Sequence, residues 1–288
     1  MSKFMPIYKP SELRLFLNQL GIFPKKGLSQ NFLIDGNIIR KIVRASDVQP
    51  GNLVLEIGPG PGSLTQAMLE AEAHVVAVEK DSILARELKR FQTPSKQLEI
   101  FCEDILMFSV EEELQSRLRD DQKAKVIANL PYHLTTPILA KMVVRRKLFS
   151  SLTVMVQEEV ARRMTALPGQ SDYSSFTIFL NFYSKPRYGF TVSRNCFYPA
   201  PKVDSAIVVL ELKEPPPNID AQVFFKITRT AFEQRRKMLR ASLKSLFDPS
   251  KISSALEIIG QNPQARPEVL SLEDFIKLYH ELYSSERH

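Results

Sequence analysis

The sequence predicts a doubly wound α/β domain with a mostly parallel sheet, followed by a small all-helical domain. Three observations carry this prediction. Short segments rich in branched residues recur between longer helical stretches, a glycine-rich turn follows the first of them, and a run of prolines near residue 215 ends the strand signal. The five segments are Leu53–Ile57, His74–Val78, Leu98–Phe101, Lys125–Ala128 and Leu152–Val156. Between them, stretches such as Ser82–Phe91 and Pro137–Phe149 are charged on one side and apolar on the other. That alternation implies βαβ units with helices on both faces of the sheet. Arg187–Val192 and Ala206–Leu212 alternate more like a terminal hairpin, so the Rossmann-like domain should span residues 1–213. Residues 214–218 read Glu-Pro-Pro-Pro-Asn. Three prolines can continue neither a strand nor a helix, which makes this a stiff linker. Residues 219–288 then show helical apolar spacing over 220–247 and 271–283. A chain of 288 residues is long enough for two such domains.

Composition removes several classes of function. The hydrophobic fraction of 44% supports a buried core, yet no apolar run reaches the roughly 18 residues of a membrane span. The N-terminal segment lacks the features of an export or transit peptide, so a cytoplasmic protein without membrane contact is expected, and a monomer is expected besides. Cys102 and Cys196 stand in no CxxC pairing and read as small core residues. His74, His133, His280 and His288 have no ligand spacing, and no metal is expected. The net charge of +7 is uneven, with +5 over residues 1–50, −5 over 51–140, +5 over 141–217 and +2 beyond. Surfaces of opposite sign can steer a polyanion along one face.

The glycine loop is Gly58-Pro59-Gly60-Pro61-Gly62-Ser63, between a strand and a helix. Glycines there let backbone approach a ligand closely, but Ser63 stands where the dinucleotide fingerprint needs its third glycine. Glu79 ends the second strand, 21 residues after Gly58, where a carboxylate can accept from both ribose hydroxyls of an adenosine ligand. Asp104, just past the third strand, can accept from an adenine amino group. All three features fall at the carboxyl ends of consecutive strands, where ligands of open α/β sheets bind.

The fourth strand ends in Asn129-Leu130-Pro131-Tyr132. An exocyclic adenine nitrogen is a poor nucleophile because its lone pair is delocalised into the ring. Acceptors for its two N–H bonds, the Asn129 amide oxygen and the Leu130 carbonyl, would favour the pyramidal geometry needed for attack. Pro131 fixes the backbone beside that carbonyl, and Tyr132 offers a face on which an extruded base can stack. Alignment and dipole placement would do most of the work, with no strong base required.

These motifs together resemble the small-subunit ribosomal RNA adenine N6,N6-dimethyltransferases, a family of class I methyltransferases with a helical C-terminal domain. Further segments carry the likeness: Lys25-Lys26-Gly27-Leu28-Ser29-Gln30-Asn31-Phe32-Leu33, Phe197-Tyr198-Pro199-Ala200-Pro201-Lys202-Val203-Asp204-Ser205, and Phe232-Glu233-Gln234-Arg235-Arg236-Lys237-Met238-Leu239-Arg240. The resemblance covers nearly the whole chain. It implies S-adenosylmethionine as methyl donor, held by Asn31, Leu33, Gly58, Gly60, Glu79, Asp104 and Asn129. It also implies a target-amine site at Asn129, Leu130, Pro131 and Tyr132, with Phe197 as second aromatic wall. Two methyls on each of two neighbouring adenines, within the pre-ribosomal small subunit, are implied by the family alone. Ser29 stands where glycine is usual, and His133 where asparagine is more frequent; Ser29 also occurs in the related large-subunit enzymes of the antibiotic-resistance type. That type, and a non-catalytic RNA-binding assembly factor, are the alternatives.

Candidate RNA contacts are the basic clusters. Lys226, Arg229, Arg235, Arg236, Lys237, Arg240 and Lys244 crowd residues 225–245 against the single acid Glu233. Arg236, Arg240 and Lys244 recur every four residues, which predicts a ridge along one helix beside a stripe of Phe232, Leu239, Leu243 and Leu246. Arg145, Arg146 and Lys147 form a second cluster, and Lys25 and Lys26 a third. Such cations suit phosphate contact and make binding salt-dependent.

Overall fold

The computed structural model describes residues 10–21, 31–95, 97–119 and 121–284. Its strands are β1 (Phe32–Leu33), β2 (Leu53–Ile57), β3 (His74–Glu79), β4 (Leu98–Cys102), β5 (Ala124–Asn129), β6 (Phe149–Gln157), β7 (Ser184–Val192), β8 (Phe197–Tyr198) and β9 (Ser205–Leu212). The first unit carries helices α1 (Pro10–Gln19), α2 (Gly36–Ala45), α3 (Ser63–Glu70), α4 (Ser82–Glu87), α5 (Val110–Gln115) and α6 (Thr135–Val143). Then come α7 (Glu158–Thr165), α8 (Ser175–Tyr183), α9 (Ala221–Glu233), α10 (Leu239–Ser242), α11 (Pro249–Ile258) and α12 (Leu272–Ser284).

Seven strands form one sheet in the order β4-β3-β2-β5-β6-β9-β7, and β1 pairs with β8 in a separate two-stranded sheet. Strands β4 through β6 are parallel, whereas β9 runs antiparallel to β6. The central strand β2 is buried along its whole length, as a strand covered on both faces must be. From β2 the chain steps outward to β3 and β4, then crosses back to β5 and β6. The order therefore reverses between β2 and β5, and the crevice beyond the carboxyl ends of these strands is where such a sheet binds ligand. The expected doubly wound sheet and helical tail are both present.

Two compact units divide the chain, and their boundary departs from the expected one. Residues through Ala161 join Arg187–Leu212 in the first unit, while Arg162–Pro186 join the residues from Lys213 onward in the second. Lys213 does mark a border, but the second unit also takes a segment from within the span assigned to the sheet domain. The reason lies in α8, whose Ser-Phe-Thr-Ile-Phe-Leu-Asn-Phe-Tyr sequence is too apolar for a surface helix. Ile178 and Phe182 are buried in one cluster with Phe224, Leu239, Leu256, Phe275 and Leu278 of the helical unit. Their rings pack edge-on or tilted, as with Phe182 and Phe224 at 5.3 Å between centroids.

The predicted basic ridge is also corrected. Helix α9 begins cleanly at Asp220, whose carboxylate accepts the N–H groups of Gln222 (2.9 Å) and Val223 (3.1 Å). It stops at Glu233, because Gln234 leaves helical geometry at φ −125° and ψ 59°. Turns follow until the single-turn α10, so Arg236, Arg240 and Lys244 do not lie along one continuous helix. The four-residue recurrence is real in sequence, but Leu239 and Leu243 bury themselves by packing a short helix instead. Cys102 is exposed at the end of β4, contrary to its expected burial, and both cysteines are free.

Candidate active site

Strand β2 runs directly into the glycine loop, where Gly58, Gly60 and Gly62 take φ values of +64°, +57° and +88°. L-residues rarely adopt this left-handed region, which is why glycine recurs here. Space matters as well: a Cβ on Gly60 would meet the Phe32 ring at 3.1 Å, and one on Gly62 would meet Phe91 at 2.5 Å. Gly62 precedes α3, so the loop delivers the chain into a helix N-terminus.

The two carboxylates are anchored differently. Glu79 is buried, its Oε2 accepting the Gly60 N–H (2.9 Å) and its Oε1 the Asp81 N–H (2.8 Å). Burial pushes its pKa up, against the lowering effect of these donors. The acid of the second strand is thereby tied to the glycine loop of the first. Asp104 accepts the Leu106 N–H at Oδ1 (2.9 Å) and the Lys80 ammonium at Oδ2 (2.8 Å). The Lys80 hydrogen bond holds its pKa below the ordinary value. It is therefore an ionised acceptor near neutral pH.

At the end of β5 the Asn129 side-chain NH2 donates to the Asn31 carbonyl (3.1 Å), which leaves its Oδ1 as an acceptor. The Leu130 N–H donates to the Met155 carbonyl of β6 (3.1 Å), and the Pro131 carbonyl accepts the Leu134 N–H (2.9 Å). The Tyr132 hydroxyl lies 2.9 Å from Ser205 Oγ, which pins the half-buried ring; burial raises its pKa. One cavity of about 170 Å³ is lined by Asn31, Leu33, Gly58, Gly60, Glu79, Asp104 and the whole Asn129–Tyr132 segment.

Most residues expected from sequence converge on this cavity, and Phe197 does not. It pairs with Leu33 across β1 and β8, which turns its ring into the core, where it is 3% exposed. Phe32, Leu84, Ile105 and Ile138 supply apolar wall instead. Sequence reasoning also missed Glu56, 1% exposed on β2 and lining the same cavity. Its Oε2 accepts the Thr65 hydroxyl (2.6 Å), Oε1 has no partner among the described residues, and burial pushes its pKa up to about 8. A lone acid inside an otherwise apolar strand was the available signal.

The basic candidates are scattered. Lys25 and Lys26 lie outside the described residues. Arg145 Nε pairs with Glu111 at 2.6 Å, and Arg235 is tied to Glu268 (3.0 Å) and to the Gln170 and Ser171 carbonyls. Both arginines thus hold their own unit together. Lys147, Arg236, Lys237, Arg240 and Lys244 are exposed. Among the described residues no group of three or more His, Cys, Asp or Glu is placed to hold a metal, and no helix is long and apolar enough to cross a membrane.

This geometry has close counterparts. Residues 24–283 match the family described as ribosomal RNA adenine dimethylase. The chain belongs to that family. It is 98% identical, over 99% of its length and 100% of the relative's, to the ribosomal RNA small subunit methyltransferase A of Protochlamydia amoebophila. The Chlamydia caviae protein of the same name is 46% identical over 96% of this chain and 98% of its own. A solved dimethyladenosine transferase from Plasmodium falciparum superposes with a TM-score of 0.75 at 28% identity, covering 88% of this chain and 98% of that one. As a member of the dimethylase family the chain is a methyltransferase, and its sheet is the class I methyltransferase fold.

Proposed function

We propose that this methyltransferase moves methyl groups from S-adenosylmethionine to the N6 amino groups of adenines in small-subunit ribosomal RNA. The target is two neighbouring adenines in a loop near its 3′ end, each dimethylated, as part of small-subunit biogenesis. The observation that carries the reading is the continuity of one cavity from Gly58, Glu79 and Asp104 to Asn129–Tyr132. The names of the small-subunit relatives support the RNA.

The residues suit an adenosine-containing donor. Glu79 would accept from ribose hydroxyls with the lone pairs its two backbone donors leave, and Asp104 from the adenine amino group. Ile105 and Leu84 would flank the ring. The donor supplies an electrophilic methyl group on a sulfonium. Asn129 Oδ1 and the Leu130 carbonyl accept the two N–H bonds of the target amine, drawing its lone pair out of conjugation. The Tyr132 ring stacks on the extruded base, and its hydroxyl contact with Ser205 keeps that face in place. The exposed cations Lys147, Arg236, Lys237, Arg240 and Lys244 bind RNA phosphate, while Arg145, Arg146 and Arg235 border those patches.

Labelled donor and small-subunit particles lacking the modification test this directly. Label should enter adenine as N6,N6-dimethyladenosine, and Asn129→Ala should lower the rate by about 10²–10³-fold, the usual cost of losing one preorganised polar contact to a transition state. Label in large-subunit RNA alone, or none in wild type, would overturn the proposal.

A further inference from the structure

Lys141 lies six residues into α6, the helix that follows the Asn-Leu-Pro-Tyr segment, and its side chain leaves that helix for another strand end. Its Nζ donates to the carbonyls of Ile105, Leu106 and Phe108, each at 2.8 Å. An ammonium has three protons, and here each has one backbone acceptor. The three carbonyls belong to the tight turn after β4. There the Asp104 carbonyl accepts the N–H groups of Met107 (2.8 Å) and Phe108 (3.0 Å), and Asp104 Oδ1 accepts from Leu106. Asp104 and Ile105 at the start of this turn line the cavity; Phe108, at its end, is buried against Phe101 at 5.1 Å between ring centroids.

The geometry points to Lys141 as a positioning residue for methyl-donor binding: a cationic clamp that holds the Asp104–Phe108 turn in its binding shape from the helix leading away from the target-amine site. This inference rests on the reading of the cavity as a methyl-donor pocket. Carbonyls converging without a cation would repel one another, so without Lys141 the turn spreads and the Asp104 carboxylate and Ile105 side chain leave register with the adenine. Desolvation and then the nearby Arg145 lower the Lys141 pKa, opposed by Glu111, Glu103 and Asp104, and the charged ammonium strengthens its bonds to the three carbonyls. Lys141 does not line the cavity, so its loss should weaken donor binding far more than the chemical step.

The test is S-adenosylmethionine titration by calorimetry, with methyl-transfer kinetics, on the full chain carrying Lys141→Met, Lys141→Arg or Lys125→Met. Lys125 is the matched control, because its Nζ also donates to a backbone carbonyl, that of Ser46 at 3.1 Å, and it does not line the cavity. Lys141→Met should raise the donor Kd and KM about tenfold, with kcat at saturating donor within about threefold and RNA affinity unchanged. Lys141→Arg, which keeps charge and several donors, should recover most of the affinity. Lys125→Met should lower the melting temperature comparably and leave donor affinity alone. If Lys141→Met binds donor as wild type does, or only as weakly as Lys125→Met, the clamp is a stability feature and the inference fails. Wild-type protein that binds no donor would instead overturn the reading of the cavity, and the clamp along with it.

Discussion

Gly62 carries two independent demands, a left-handed backbone and a missing side chain. Its φ of +88° and the 2.5 Å approach of Phe91 to a hypothetical Cβ mean that alanine must shift buried atoms as well as strain the chain. Gly62→Ala should therefore cost about 1–3 kcal/mol, read as a lower denaturation midpoint, and weaken donor binding through the loop. Glu56 makes a different prediction, about pH. Its folded pKa of about 8 stands above the ordinary 4.5, so between those values the unfolded chain releases a proton that the folded chain retains. Stability from this group accordingly falls as pH rises through that window. Glu56→Gln removes the effect, and its melting temperature relative to wild type should climb from pH 5 to pH 8, by up to roughly 4 kcal/mol in stability. Parallel curves would contradict the assignment. Both residues show where sequence reading succeeds and where it stops. Glycines at strand ends are legible because few other residues adopt that backbone readily, whereas the protonation of Glu56 depends on what eventually covers it.

Elements are legible in proportion to how locally their pattern is determined. The parallel strands can be placed from sequence to within a few residues, since a buried strand is written as a short run of branched residues. Asn129 and Tyr132 follow, because they sit where such a strand ends. Phe197 escapes for the opposite reason: its ring direction depends on pairing with Leu33, more than 160 residues earlier in the chain. The α9 terminus is likewise hidden, as the four-residue spacing of Arg236, Arg240 and Lys244 carries on past the backbone break at Gln234. One consequence can be measured. Asp220 caps α9 with two backbone hydrogen bonds, and Asp220→Ala should destabilise the helical unit by about 1 kcal/mol without touching donor affinity. A variant with unchanged unfolding would show that the cap contributes nothing here.

At the scale of the whole molecule, the proposed RNA surface rests on exposed charge. Arg235 is tied into the fold, whereas Arg236, Lys237, Arg240 and Lys244 stand exposed on the same unit. Replacing those four with glutamine should weaken RNA binding across sequences. It should also reduce the slope of log affinity against log salt, by about 1 for each phosphate no longer neutralised. An unaltered slope would move the RNA-binding surface elsewhere, for instance towards Lys147. Donor titration should be indifferent to all four changes.

The return of Arg162–Pro186 to the helical unit has a practical result for dissecting the protein. A fragment that stops at residue 213 keeps α8 but loses Phe224, Leu239 and Phe275, the groups on which Ile178 and Phe182 rest. It would carry a naked aromatic surface and aggregate. The complementary fragment from 214 onward would be hollow, missing one wall of its interior. Separating the units calls for excising residues 162–186 from the first piece and joining them to the second, because both chain segments build one buried cluster.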